Sequence, residues 1–319
     1  MMLAHNLFLA VFLLSLGTTF GLNVESIQTQ GNESQWSTLN VALVQYPLVG
    51  YLSVDQLFSK VKTFVLKASQ DGAQVVLIPE LFTLDLLDFS RPVVPQFDPI
   101  IDELYPTFMI EMQKLADELN IYVLAGSTPV KVKTRIRNRS FLFGPHSTPV
   151  FQDKIFLTPD EVEWGWEGAD TLRVIETPWG KTAIVICYDS EFPLISQTLA
   201  QHEINLILIP SMTGEEGFTR VRWAAQSRTV EHLAYVCVTG ISGDPAPSWG
   251  MKAQAAVLGP SLSGFTPLIA EGRINQESEV VFAALNMSAL VEAKMAGDYY
   301  PALDQKGVAS ITVEVVDML

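Results

Sequence analysis

Three reactive side chains stand at the ends of apolar, strand-like runs. Glu80 follows Val75-Val76-Leu77-Ile78-Pro79, Lys154 follows Val150-Phe151-Gln152-Asp153, and Cys187 follows Ala183-Ile184-Val185-Ile186. Charged groups in such surroundings are costly unless they are paired or functional. Together the three make a coherent chemical set. A free thiol with a pKa near 8.5 is only about 3% thiolate at pH 7, so it needs activation. A carboxylate within hydrogen-bond reach can take its proton, and an ammonium nearby can stabilise an oxyanion. Cysteine, glutamate and lysine therefore suffice for acyl transfer without histidine. Read alone, these residues also leave open a buried structural cysteine, a rim salt bridge and a surface glutamate.

Composition narrows the field. The chain has 319 residues, 48% of them hydrophobic and 17% charged, which is ample material for a packed core. Twenty Lys and Arg against 35 Asp and Glu give a net charge of -15. That excludes the basic face which nucleic-acid binding requires and disfavours anionic membrane surfaces. Two cysteines, Cys187 and Cys237, make neither a zinc framework nor a disulfide scaffold, and the four histidines have no ligand spacing. A metal site is not expected. Residues 7–22 form an uncharged apolar run, short for a membrane span, that reads as a signal-peptide core cut after Gly21, with an uncleaved anchor as the alternative. The expected organisation is a signal peptide over 1–21, a linker over 22–38, one domain over 39–295 and a tail over 296–319. The expected location is secreted or periplasmic.

The elements that must position the three residues alternate. Buried strands are expected at 40–47, 75–82, 121–128, 204–211 and 234–242. Helices are expected at 54–69 with Ser53 as N-cap, and at 101–120, 192–202, 218–232 and 286–295. Between 139 and 189, short strands broken by Gly144-Pro145 and Pro178-Trp179-Gly180 predict antiparallel hairpins. A last pair of strands is expected at 253–260 and 279–286. Strands this apolar need cover on both faces, which predicts a layered α/β sandwich. In such folds ligands gather at the carboxyl ends of strands, where Glu80, Lys154 and Cys187 stand.

The segments Ile78-Pro79-Glu80-Leu81-Phe82, Asp153-Lys154-Ile155 and Ile186-Cys187-Tyr188-Asp189-Ser190-Glu191-Phe192-Pro193 resemble the three signature segments of the nitrilase superfamily, the carbon–nitrogen hydrolases. Their order and separation resemble that family too, as do Ile209-Pro210-Ser211 and the stretch from Arg222 to Glu231. The resemblance implies a four-layer αββα sandwich, no cofactor, and a covalent thioester intermediate. It makes Cys187 the nucleophile, Glu80 the general base and Lys154 the oxyanion partner, with the backbone N–H of Tyr188 as a second oxyanion donor. It also implies a second, substrate-positioning glutamate on the loop after the lysine. Glu161 and Glu163 both qualify, and Glu161 is favoured. Nitrile-cleaving members carry Cys-Trp-Glu where this chain has Cys187-Tyr188-Asp189, so the expected substrate is a small linear amide or carbamoyl compound.

Three alternatives compete with that reading. They are nitrile hydrolysis on the same triad, a Cys–His protease using His146, His202 or His232, and a non-catalytic binding protein on the same fold. Cys237 reads as a core residue, and Arg220, Arg222 and Arg228 as partners for acids. Trp164, Trp166 and Tyr188 are candidates to line the substrate pocket, with packing under a loop as the alternative for the two tryptophans. The apolar residues Phe192, Leu194, Ile195, Leu199, Phe218, Val221, Trp223 and Val230 exceed what one buried helix face needs, so a homodimer or higher homo-oligomer is expected.

Overall fold

Ser53 caps its helix as its sequence position predicts. Its side chain accepts from the Gln56 N–H while Gln56 reaches back to the Ser53 N–H, and the helix runs Val54–Gln70 before stopping at Asp71-Gly72. The computed structural model describes residues 36–243, 249–274, 278–297 and 299–307. The expected signal peptide, most of the expected linker and the end of the expected tail lie outside the described residues. No helix among the described residues is long and apolar enough to cross a membrane.

Twelve strands follow in order: β1 (Thr38–Pro47), β2 (Val75–Ile78), β3 (Tyr122–Val132), β4 (Arg135–Phe143), β5 (Val150–Asp153), β6 (Val174–Thr177), β7 (Gly180–Ile184), β8 (Leu206–Ser211), β9 (Tyr235–Ser242), β10 (Ala256–Leu258), β11 (Leu268–Glu271) and β12 (Glu279–Asn286). They form two halves, β5-β4-β3-β2-β1-β12 and β6-β7-β8-β9-β10-β11. Among the described residues, the strands of the two halves pair with each other where Tyr46 and Pro47 lie parallel to Ile241 and Ser242. Strands β1, β2 and β3 are mutually parallel, as are β7, β8 and β9, while the flanking strands run antiparallel.

Side-chain alternation sets the layers. Leu39, Val41 and Leu43 of β1 join a core shared with β7, β8 and β9, so the two halves face each other across an apolar interior. Ala42, Val44 and Tyr46 point the other way, onto a second core. That core is capped by Leu57, Val61 and Val65 of the first helix and by Phe108, Met112 and Leu115 of the helix Tyr105–Leu119. Helices Pro193–Leu199 and Glu215–His232 cover the other half through Ile195, Leu199, Val221 and Ala225. The layers are helices, sheet, sheet, helices, the αββα sandwich expected, with the sheet nearly closed on itself.

Several boundaries differ from expectation for identifiable reasons. Strand β2 ends at Ile78 rather than at 82, because Pro79 has no N–H for the ladder and Leu81 adopts a left-handed φ of 52°. The expected 101–120 helix opens with a π turn over Ile100–Leu104, where Pro106 cannot donate back to residue 102. The last two expected strands do not pair with each other: β12 lies against β1, while β10 lies between β9 and the unforeseen β11. Of the apolar residues expected to be in excess on the 192–202 and 218–232 helices, Leu194, Trp223 and Val230 are exposed and Phe192 and Phe218 half-buried, while Ile195, Leu199 and Val221 face the core.

Candidate active site

Four strand ends converge at the seam between the halves. Glu80 follows β2, Lys154 follows β5, Cys187 comes three residues after β7, and Ser211 ends β8 with Met212 next. Cys187 opens a tight 3-10 turn, Cys187–Glu191, at a φ of 47°. A left-handed conformation costs a non-glycine residue about 1–3 kcal/mol, and here it turns the cysteine off the strand at the seam.

Lys154 is the hub. Its Nζ donates to Glu80 Oε1 at 2.8 Å and to Glu161 Oε2 at 2.7 Å. Asn138 Nδ2 bridges the same two carboxylates, at 2.9 Å to Glu80 Oε1 and 2.7 Å to Glu161 Oε1. The Met212 N–H donates to Glu80 Oε2 at 2.8 Å. Thr158 holds Glu161 Oε2 through its N–H at 2.9 Å and its hydroxyl at 3.0 Å. The Ser211 hydroxyl donates to Cys187 Sγ at 3.2 Å, and the thiol lies 3.8 Å from the Met212 carbonyl. Glu80, Lys154, Glu161 and Cys187 are all 2–3% exposed.

These burials decide the protonation states. Burial pushes the Glu80 carboxyl above the usual carboxylate range; Lys154 opposes and Glu161 adds to the shift. Burial works against charge on Lys154, but Glu80 and Glu161 outweigh it and hold the ammonium firmly protonated. Burial, then the charge of Glu80, pushes the Cys187 thiol up, against Lys154 and the bond from Ser211. The resting sulfur is therefore a thiol beside a carboxylate of raised basicity. Such a pair suits proton transfer concerted with attack rather than a preformed thiolate.

Sequence reasoning named Glu80, Lys154, Cys187 and Glu161, and the structure brings these four together. Glu163 is exposed and stands outside the cluster, since it lies on the opposite side of the short Pro159–Glu163 helix from Glu161. Tyr188 is half-buried and its ring packs edge-on against Phe192, in a hollow separate from the cleft that Glu80 lines. Trp166 is buried and Trp164 lines the cleft, so the two expectations for the tryptophans each describe one of them. Arg220, Arg222 and Arg228 pair with Glu191, Glu271 and Glu231. Cys237 is buried in β9, and both cysteines are free. None of His146, His202 and His232 is a partner of the Cys187 sulfur; His146 pairs with Asp117 and His232 with Ser196.

Four contributors escaped the sequence reading. Asn138 sits in Arg135–Phe143 between Arg137 and Arg139, a run that looks like a solvated edge, yet it is fully buried. The Met212 N–H carries no side-chain signature. Thr158 shows only as a helix N-cap. Asp189 accepts from the N–H groups of Ile155 and Phe156, tying the residues after Lys154 to the turn that holds Cys187. Burial pushes its carboxyl up to about 7, with those two N–H groups opposing.

Above the cluster opens a cleft of about 550 Å³. Glu80, Lys154 and Glu161 form its base, Phe89, Trp164 and Trp249 one wall, and Arg91 and Asp160 its rim. No cluster of metal-ligating side chains occurs among the described residues.

Comparison with known proteins identifies the family. The sequence model of the carbon-nitrogen hydrolase family matches residues 40–294. The chain is 30% identical over 249 residues to the "Probable hydrolase YhcX" of Bacillus subtilis, an alignment covering 76% of this chain and 48% of that relative. The chain thus spans about half the length of that relative. It is 25% identical to the omega-amidase NIT2 of Mus musculus, covering 87% of this chain and 98% of that one. Among solved structures it is similar to Nit3 of Saccharomyces cerevisiae, with a TM-score of 0.69 and 21% identity over 82% of this chain and 95% of that one. It is also similar to an amidase from Nesterenkonia sp. AN1 in complex with acrylamide, with a TM-score of 0.67 and 17% identity over 83% of this chain and 98% of that one. The chain belongs to the carbon-nitrogen hydrolase family, and the names of these relatives are in keeping with a hydrolase of non-peptide carbon–nitrogen bonds.

Proposed function

We propose that this protein hydrolyses carbon–nitrogen bonds in small linear amides or carbamoyl compounds through a thioester on Cys187. The observation that carries the reading is the buried Glu80–Lys154–Glu161 array set against the Cys187 thiol. As Sγ attacks the amide carbon, Glu80 takes the thiol proton. An ammonium has three N–H donors. Two of those on Lys154 are held by Glu80 and Glu161, which leaves the third for the oxygen that becomes negative. The Tyr188 N–H, in the first turn after Cys187, is the second oxyanion donor. When the carbon–nitrogen bond breaks, protonated Glu80 gives its proton to the departing nitrogen and ammonia or an amine leaves. Water then attacks the thioester carbonyl while Glu80 takes its proton; the acid departs and the sulfur recovers its hydrogen. Asn138 and the Met212 N–H fix Glu80 in place throughout, and Glu161 orients Lys154 and the amide nitrogen.

Intact-mass measurement after rapid mixing with a panel of small amides tests this reading. The expected result is an acyl adduct that maps to Cys187, with ammonia released in step with turnover. Turnover that persists in Cys187→Ala would contradict it. The omega-amidase and amidase names among the relatives support an amide over a nitrile as substrate.

A further inference from the structure

The cleft wall holds a connected set of rings. Phe89 meets Trp249 edge-on at 5.0 Å between centroids, and Trp249 stacks with Trp164 at 6.1 Å. Trp164 is braced from beneath by Phe97 at 5.2 Å and Trp166 at 5.1 Å, both of which are buried. The three wall rings are only half-buried, as is Met251 beside them. Large apolar side chains that keep surface open inside a cleft, on a buried aromatic footing, form a preorganised apolar subsite.

Charge in the cleft argues in the same direction. The base carries two carboxylates, Glu80 and Glu161, around one ammonium that is bonded to both. The other cation lining the cleft, Arg91, sits at the exposed rim opposite in sign to Asp160. A substrate carboxylate carried deep into the cleft would face two negative groups and an ammonium already engaged.

We propose that the Phe89–Trp249–Trp164 wall is the acyl subsite, and that the substrate is a primary amide whose acyl group is apolar and flat, of the arylalkyl kind. This rests on the amide-hydrolase reading and gives it a substrate class. The rings would lie against the acyl chain while its carbonyl reaches down to Glu80, Lys154 and the sulfur.

The test measures kcat/KM by ammonia release for three primary amides: 3-phenylpropanamide, acetamide and succinamic acid, whose acyl end bears a carboxylate. The expected order is 3-phenylpropanamide over acetamide by at least about tenfold and over succinamic acid by at least about a hundredfold. Trp249→Ala should lower the 3-phenylpropanamide-to-acetamide ratio about tenfold, and Phe89→Ala should lower it in the same direction. A preference for acetamide or succinamic acid overturns the proposal, as does a ratio unmoved by both variants. The wild-type series alone decides if a variant does not fold. Absence of ammonia from every amide, or release that survives Cys187→Ala, marks failure of the amide-hydrolase reading itself.

Discussion

Two buried clusters in this protein are built from similar groups. Beside the Cys187 thiol, the Glu80 carboxylate and the Lys154 ammonium meet at 2.8 Å. Around Ser196 a hydroxyl lies 2.8 Å from His232 Nε2 and donates to Glu231, which Arg228 holds at 2.6 Å. Serine, histidine and glutamate in such contact have the composition of a nucleophile, its base and an orienting acid. Their surroundings differ. Glu80, Lys154 and Glu161 of the first cluster line an open cleft, whereas Ser196 and His232 are buried where their two helices meet. Burial raises both Glu80 and the thiol, so each favours its protonated form. Burial instead lowers His232 to about 4 and fixes a neutral imidazole. Contact geometry alone does not make a site; the cleft over the charged groups is what distinguishes the first cluster.

Exchanging nucleophiles gives the largest contrast. Cys187→Ala should reduce amide turnover by at least about 10⁴-fold with the fold intact. Ser196→Ala should leave turnover within a few-fold and lower the melting temperature by roughly 2–4 °C, because it leaves His232 and Glu231 short of a buried partner. Steady-state ammonia release and thermal melting of both variants check the pair. A large loss of activity in Ser196→Ala would break the comparison.

Next come the charges. Glu80→Gln cannot accept a proton and should lower kcat about 10²–10⁴-fold. Lys154→Ala removes an oxyanion donor and should cost about 10²–10³-fold. Glu161→Gln should lower kcat by roughly tenfold or more, and Glu163→Gln, exposed and outside the cluster, by less than about twofold. Equal effects at 161 and 163 would show that the contacts of Lys154 do not govern the rate.

Acidification separates the clusters by sign. His232 falls from 6.5 to about 4 in the folded protein, so its contribution to stability is full above pH 6.5 and is lost as pH drops towards 4. Asp189 rises from 3.8 to about 7, so its contribution is full below pH 3.8 and fades as pH climbs through 7. Melting temperatures between pH 4 and 7.5 should show His232→Gln flattening the acid-side decline and Asp189→Asn flattening the opposing trend. Identical profiles in wild type and His232→Gln would remove His232 from the account.

The smallest expected effect on chemistry concerns assembly. We infer that the outer face of the Ser196 helices, where Leu194 is 61% and Trp223 68% exposed, meets a second copy of the chain. Light scattering should give about twice 35.2 kDa, and Trp223→Glu should return the monomer mass with turnover changed only a few-fold. A monomeric wild type contradicts the inference.

What the sequence made legible was whatever has a period or a distinctive residue type. Continuous apolar runs marked β1, β8 and β9, and the Ser53 cap marked the first residue of its helix. Glu80, Lys154 and Cys187 stood out as polar residues ending apolar segments. Sequence left 161 and 163 open because both are glutamates on one loop; a helix of five residues turns only Glu161 inward. Asn138 was hidden because arginines flank it, although strand alternation sends those neighbours to the opposite face. The Met212 N–H is a backbone donor, and no residue type announces one. Strand β11 is four residues long and none of them is buried, so it has no apolar pattern to find.

The seam between the two halves also sets the order of events when the chain folds. Each half carries its own run of parallel strands, yet Glu80 and Lys154 belong to one and Cys187 and Met212 to the other. The bond from the Met212 N–H to Glu80 closes a separation of 132 residues, and that from Lys154 to Glu80 one of 74. Contacts so distant along the chain form late, since the entropy of loop closure must be met before they stabilise anything. Helices and hairpins can therefore be complete in a molecule that has no working site. During refolding, competence for amide cleavage would trail the recovery of secondary structure, and its lag would time the docking of one half onto the other.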